Sequence, residues 1–322
     1  VIDATTDESA PLPTVSIRDA LAEAQRRLAA AGVPSPGTDA IELLCHVLHV
    51  PRTHLFMSDR LEVADRVRFE RLLMRRCARV PLQHLTGYAP FRRLQLRVGS
   101  GVFVPRPETE VVAQAAIDAL AALPVERRRC VDLCAGSGAI ALAVATEVLG
   151  AVVDAVEIDG VAAEWARRNV ADHAPQIVAA GSSVTVHQAD AITCAGTGGL
   201  LSDASGRVEV VIANPPYIPD AAVPRDPEVR DYDPALALYG GVDGLDVIRG
   251  VIATAGRLLR PGGLLVVEHA DVQGDAVAGL LEHAAAMRPT STAVGDPAVR
   301  WVQVRSHLDL TRRPRFVTAR KV

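Results

Sequence analysis

The chain has 322 residues, of which 49% are hydrophobic and 22% charged, with a formal net charge of -4. That length accommodates two domains of ordinary size, and the composition excludes an intrinsically disordered chain. The acidic balance gives no global attraction to a phosphate backbone, and no apolar run reaches the roughly 18 uncharged residues that a membrane-spanning helix needs.

The opening stretch, VIDATTDESAPLP, is acidic and contains proline; residues 1–14 are expected to be disordered, with no secretory or lipidation signal. Ser16 then reads as a helix N-cap with Asp19 three residues on, and Leu21, Ala24, Leu28 and Ala31 recur at helical spacing up to Gly32. Thr38 is expected to open a second helix that Pro51 stops. A third, from about Glu62 to Arg79, interleaves Arg66, Arg68, Arg71, Arg75, Arg76 and Arg79 with apolar residues and reads as a solvated basic face, with a partner-binding surface as the alternative. These helices make a small N-terminal domain over residues 15–85.

Residues 86–104 follow as a linker. Leu94, Leu96 and Val98 alternate with polar residues, Gly99-Ser100-Gly101 supplies a turn, and Val102 and Val104 alternate again, which predicts a β-hairpin. Pro107 suits the first turn of a helix, where Glu108 and Glu110 meet the positive end of its dipole. From residue 130 strand, loop and helix repeat: CVDL, a helix from about Ala139 to Val148, AVVDAVEI, a helix from about Val161 to Asp172, SVTVHQAD, then VEVVIA. A helix near residues 244–259, the strand GLLVVEH, a helix near 273–287 and a β-like WVQVR complete the pattern. Such alternation predicts an α/β doubly wound, Rossmann-like parallel sheet over residues 105–322, with its ligand crevice at the C-terminal strand ends.

The strand ends carry the candidate chemistry. Asp132, Gly136, Ser137 and Gly138 lie between the first strand and its helix, where small residues let a ligand approach the backbone and the helix N-terminus offers free N–H groups. Gly136-x-Gly138-x-x-Ala141 also satisfies the looser dinucleotide fingerprint, so a nicotinamide-dependent oxidoreductase stays open here. Glu157 follows Gly138 by 19 positions and is placed to accept hydrogen bonds from ribose hydroxyls. Asp190 reads equally as a partner for an adenine amino group and as a cap on its own turn.

Asn214-Pro215-Pro216-Tyr217 ends the fourth strand. The Asn214 side-chain oxygen and the Pro215 carbonyl form a pair of acceptors for the two protons of a planar NH2 group, held rigid by two prolines. Fixing a conjugated nitrogen in this way turns its electron density toward an electrophilic carbon, which suits a nitrogen methyltransferase and has no evident use in hydride transfer. Tyr217 stacks on the planar group or walls the pocket. The plain alternative is a rigid turn. The loop after Tyr217, with several prolines and many acids, is expected to shape the substrate mouth.

Taken together, PLQHLTGY, VPRPETE, DLCAGSGAIAL, ANPPY, GGVDGLDVIR and PGGLLVVEHA resemble the bacterial HemK/PrmC family of peptide chain release factor N5-glutamine methyltransferases over most of the chain. N-P-P-Y alone is shared with DNA adenine and ribosomal-protein glutamine methyltransferases; its conjunction with P-R-P-E-T-E and the N-terminal helices is far more specific. The resemblance implies a class I methyltransferase domain using S-adenosyl-L-methionine, with a helical substrate-recognition domain. It implies methyl transfer to the Gly-Gly-Gln glutamine of class I release factors. Five cysteines with no CxxC pair suit a reducing compartment, so the cytoplasm is expected and no metal; a monomer with no membrane or direct nucleic-acid partner is expected as well. By the match Asn214, Pro215, Pro216 and Tyr217 inherit the substrate site, with Asn214, Pro215 and Tyr217 catalytic. Cys134, Ala135, Gly136, Ser137, Gly138, Glu157, Asp190, Ala191 and Asn214 inherit the cofactor site. A fold-retaining, non-catalytic partner of translation is the reading from outside enzymology.

The sequence departs from the family pattern in three places. Cys134 and Ala135 replace a Gly-Thr pair, and a left-handed backbone at Cys134 is costly. Ala191 lacks the aromatic that commonly follows the acid ending the third strand. The tail LDLTRRPRFVTARKV runs past the usual end and reads as a solvated tail or a contact to an acidic partner.

Overall fold

In the computed structural model the described residues are 15–57, 59–283 and 299–322; the expected disorder of residues 1–14 and the last turn of the helix near 273–287 lie outside them. They divide into two compact units, one built from the N-terminal residues through Gly87 together with Asp226–Tyr232, the other from Tyr88–Arg225 and Asp233–Val322.

In the first unit a two-residue strand β1 (Val15–Ser16) leads into α1 (Ile17–Ala30), and the Ser16 side chain accepts from the Asp19 N–H at 3.0 Å, so the expected cap forms. Helix α2 (Pro36–Leu48) starts two residues before Thr38, because Pro36 takes the first helical turn, where a missing N–H costs nothing. After β2 (Arg60–Leu61), which pairs antiparallel with β1, come α3 (Val63–Cys77) and a short α4 (Leu82–Thr86) that periodicity did not announce. Leu28, Leu43, Leu44, Leu61, Phe69 and Leu73 form the core of this unit.

The basic face of α3 is only partly solvated. Arg76 is buried, and its guanidinium bonds Asp39 at 2.7 Å and Glu228 at 2.8 Å, while Arg79 grips the same Glu228 carboxylate with two further bonds. Burial works to raise the Glu228 pKa, but Arg79 and Arg76 together hold it below the ordinary range. Removing one member would leave a buried charge without its partner, a change that costs about 3–5 kcal/mol.

The second unit opens with β3 (Tyr88–Phe91) and β4 (Leu94–Arg97), a hairpin turning at Arg92-Arg93. The expected second strand at Val102 and Val104 does not form. Gly99 and Gly101 serve close packing instead of a hairpin turn, since a Cβ at Gly99 would lie 2.8 Å from the Trp165 ring and one at Gly101 2.7 Å from Val161. Next come α5 (Thr109–Ala121), β5 (Arg129–Leu133), α6 (Ala139–Glu147), β6 (Val152–Glu157), α7 (Gly160–Asp172), α8 (Ala174–Ala179), β7 (Ser183–Gln188) and β8 (Val208–Ala213). The chain continues through α9 (Pro227–Tyr232, the segment counted with the first unit), α10 (Ala235–Leu238), α11 (Asp246–Leu258), β9 (Leu259–Glu268), α12 (Gly274–His283), β10 (Trp301–Leu308) and β11 (Pro314–Lys321).

Among the described residues the main sheet has seven strands in the order β10-β11-β9-β8-β5-β6-β7. The β9-β8-β5-β6-β7 portion is parallel, and β11 and β10 add antiparallel strands at one side. The basic tail is therefore neither solvated nor a free contact: Phe316, Val317 and Ala319 are buried, and the tail forms β11 between β9 and β10. Side chains alternate across β8, so Val210 and Ile212 pack with α5 and α6 while Val211 and Ala213 face the core shared with α11 and α12. Burial on both faces explains why this strand reads as an unbroken apolar run.

Candidate active site

Chain order reverses at β5, whose neighbours are β6 on one side and β8 on the other. A crevice opens at such a switch point, beyond the C-terminal strand ends. The register puts these ends level, with Leu133 opposite both Val156 and Ala213, and Ala213 opposite Val267. The next residue on each strand is consequently Cys134, Glu157, Asn214 and Glu268, four neighbours across the sheet at spacings of about 4.8 Å per strand.

The loop after β5 is bound to the end of β6. Glu157 is buried, and its two carboxylate oxygens accept from the Gly136 N–H at 2.8 Å and the Asp159 N–H at 2.9 Å. Burial pushes its pKa up, opposed by those backbone donors. Gly136 and Gly138 have positive φ, and so does Cys134 at 64°. The side chain at Cys134 thus carries the strain that glycine would avoid, of order 1–2 kcal/mol. Ser137 is held from behind by Asn169 of α7, whose amide donates to the Ser137 carbonyl at 3.0 Å. A Cβ on Gly138 would touch Ala166, whereas one on Gly136 would meet no atom within 4 Å. The loop is therefore packed against α7 at Gly138 and open at Gly136. A carboxylate and backbone N–H groups around such a cradle fit the ribose and adjoining polar groups of a nucleoside-bearing cofactor.

Asp190 follows β7. Its Oδ1 accepts from the Ile192 N–H at 2.8 Å, so the turn-capping role is real, and its other carboxylate oxygen is not used in that turn. Ala191 is buried against the core, so its small side chain is packing rather than a stacking surface.

The N-P-P-Y turn is clamped from outside. Gln273 donates to the Tyr217 carbonyl at 3.0 Å, Ile218 pairs with Tyr239, and the glycines of GGVDG approach so closely that a Cβ at Gly240 would lie 2.5 Å from the Pro216 carbonyl oxygen. At Gly244 the corresponding distance to the Tyr217 carbonyl oxygen is 2.3 Å, which gives that motif a physical reason. Burial raises the Tyr217 phenol, keeping it neutral, with the Glu268 carboxyl acting in the same direction.

Three residues absent from the sequence-based site belong beside it. Thr109, in P-R-P-E-T-E, accepts from the Asn214 amide at 3.3 Å; Glu268 is wholly buried at the end of β9; Arg315, on β11, lies near both Glu268 and Tyr217. An acid closing a core strand beside N-P-P-Y was a usable signal for Glu268. Arg315 had none, because its position depends on the tail entering the sheet.

Burial pushes two carboxyls, Asp132 and Glu268, up to about 8. Both bind a proton more tightly folded than unfolded, so their stabilisation is complete below the unfolded carboxyl range and is lost as pH rises through 8. The thiols of the buried Cys130 and the half-buried Cys134, raised by the same cause, act in the same sense. Thermal unfolding of the cofactor-free protein should show a midpoint that falls between about pH 7 and about pH 9. A flat or rising midpoint would mean that both carboxyls are already ionised at neutrality.

Residues 19–87 match the PrmC N-terminal domain model and residues 100–226 the Methyltransferase small domain model. A release factor glutamine methyltransferase of Streptomyces coelicolor is 47% identical over 94% of this chain and 96% of its own length. A protein of the same name from Bifidobacterium longum is 45% identical over 80% of this chain and 89% of its own, and one from Mycolicibacterium smegmatis 42% identical over 95% and 98%.

Proposed function

The chain belongs to the release factor glutamine methyltransferase family, and on that premise we propose that it methylates the side-chain amide nitrogen, N5, of the Gly-Gly-Gln glutamine in class I peptide chain release factors. S-adenosyl-L-methionine is the methyl donor: when bound it presents a methyl carbon on a sulfonium, and the C–S electron pair returns to sulfur on transfer. Glu157 and the backbone of residues 134–138 would hold it, with Asp190 and Asn214 as further contacts.

An amide nitrogen is a poor nucleophile because its lone pair is conjugated with the carbonyl. Asn214 Oδ1 and the Pro215 carbonyl accept its two N–H protons and fix the plane of the group, so the nitrogen lone pair meets the methyl carbon in line. The same two oxygens stabilise the positive charge that grows on nitrogen during transfer. Tyr217, kept neutral by burial, walls the planar group without competing for its protons. The methylated nitrogen then loses a proton to water.

The observation that carries this reading is the register that sets Asn214 and Glu157 on either side of the β5 loop, at one level of the sheet. The helical unit is assigned to release-factor recognition and the reaction to the cytoplasm. No described helix is long and apolar enough to cross a membrane. A net charge of -4 favours a protein substrate over nucleic acid. Mass spectrometry of a release-factor digest, after incubation with enzyme and S-adenosylmethionine, should show one added methyl on the Gly-Gly-Gln peptide. Methylation of DNA alone would reverse the assignment.

A further inference from the structure

An asparagine amide works as an acceptor only when its oxygen, not its nitrogen, faces the substrate. Asn214 is tied at its nitrogen end, where Nδ2 donates to Thr109 Oγ1 at 3.3 Å. Thr109 is the first residue of α5 and is buried, and its hydroxyl lies beside the Glu268 carboxyl, where it works against the upward push of burial on that acid. Glu268 Oε2 is buried with no hydrogen-bond partner, and α5 packs on both β8 and β9, the strands that carry Asn214 and Glu268. Asn214, Thr109 and Glu268 therefore line up inward from the substrate side, the first two joined by a hydrogen bond and the third a buried carboxyl with an oxygen left to accept.

A hydroxyl has one proton. When Thr109 directs that proton at the carbonyl oxygen of the Glu268 carboxyl, which accepts whether or not the acid is ionised, it offers Asn214 lone pairs only, and these attract the amide NH2 end while repelling the carbonyl end. The geometry points to Thr109 and Glu268 as positioning residues that lock the Asn214 amide with Oδ1 toward the substrate. This rests on the substrate role proposed above for Asn214. Without the lock, a flipped Asn214 presents its NH2 to the NH2 of the glutamine, donor against donor, and the ground for attack is lost.

The lock also explains the placement of P-R-P-E-T-E. The motif lies far from N-P-P-Y in sequence, yet it starts the helix that brings Thr109 between two strand ends. Arg106 at its other end bonds Asp233 at 2.6 Å, which fixes the segment leading into the helix.

Thr109→Val, close in shape but without the hydroxyl, should lower kcat for release-factor methylation about tenfold to a hundredfold, the effect of leaving the part-buried Asn214 amide N–H unsatisfied and mobile. S-adenosylmethionine affinity, measured by calorimetry, should change by less than about threefold, and Thr109→Ser should recover most of the rate, since a packing defect would not be repaired by the smaller residue. In an Asn214→Ala background the Thr109→Val change should cost nothing more, because Thr109 acts through that amide. If Val unfolds the protein, Thr109→Ala serves in the same four measurements. A Val or Ala variant at the wild-type rate, a Ser variant no better than Val, or an equal further loss in the Asn214→Ala background would each overturn the lock. Full activity of Asn214→Ala by itself would instead overturn the substrate site on which the lock depends.

Discussion

Replacing Asn214 by alanine is expected to lower glutamine methylation by about a thousandfold, while S-adenosylmethionine still binds within a few fold of wild type; loss of one preorganised group at a developing charge costs about 10²–10³ in rate. On the proposed mechanism the change removes one of the two acceptors for the substrate NH2, leaving the nitrogen free to rotate out of line. It should spare the fold. Ala213 is locked in register with both β5 and β9, and the turn beyond is fixed by Gln273, Ile218 and the glycines of GGVDG rather than by the Asn214 side chain. Only the single bond from Asn214 to Thr109 is lost, so the stability cost should be about 1 kcal/mol. Single-turnover rates with a release factor, alongside calorimetric titration of the cofactor, check both halves. An alanine variant that turns over normally would remove Asn214 from the chemistry.

The second large effect is expected at Glu157. Its two oxygens already take the Gly136 and Asp159 N–H groups, and each oxygen has a further lone pair for a ribose hydroxyl. Glu157→Gln keeps the shape but puts an NH2 against one of those backbone donors, so the loop must shift or the amide must turn away. It also removes the charge that strengthens every bond the carboxylate makes, since hydrogen bonds to an ionised group are roughly twice as strong as neutral ones. The dissociation constant for S-adenosylmethionine should rise about a hundredfold, a loss of roughly 2.7 kcal/mol. The maximal rate at saturating cofactor should fall much less, because the proposed mechanism places Glu157 on the cofactor and not on the glutamine. A variant that binds the cofactor normally would transfer its anchoring to the backbone of residues 134–138.

These two residues were legible in the sequence because each closes a strand whose pattern is unambiguous. Val208 to Ala213 is a run of β-formers stopped by two prolines, so Asn214 had to lie at a strand end, and Glu157 sits at the fingerprint distance from Gly138. The linker's sequence misleads for an equally local reason. Gly99-Ser100-Gly101 between alternating valines has the chemistry of a hairpin turn, and only the approach of Trp165 and Val161 shows that these glycines make room for α7. The basic tail was misread because charge was the strongest feature visible in it. Phe316, Val317 and Ala319 bury themselves only once β9 offers an antiparallel partner, with Phe316 opposite Glu268.

Local order in the chain was sufficient to determine that strands alternate with helices, that a glycine loop and an acid follow the first two strands, and that a rigid amide-bearing turn follows the fourth. Such features depend on neighbours within a few residues: turn chemistry, capping and periodicity. Tertiary structure alone decided which strand ends stand level, that Thr109 reaches Asn214 from the start of a helix 105 residues earlier, and that Glu268 is buried behind them. Those relations are set by strand order and register, which arise when distant segments bury their apolar faces against one another. No spacing along the chain encodes them, because the sheet orders its strands by packing rather than by sequence.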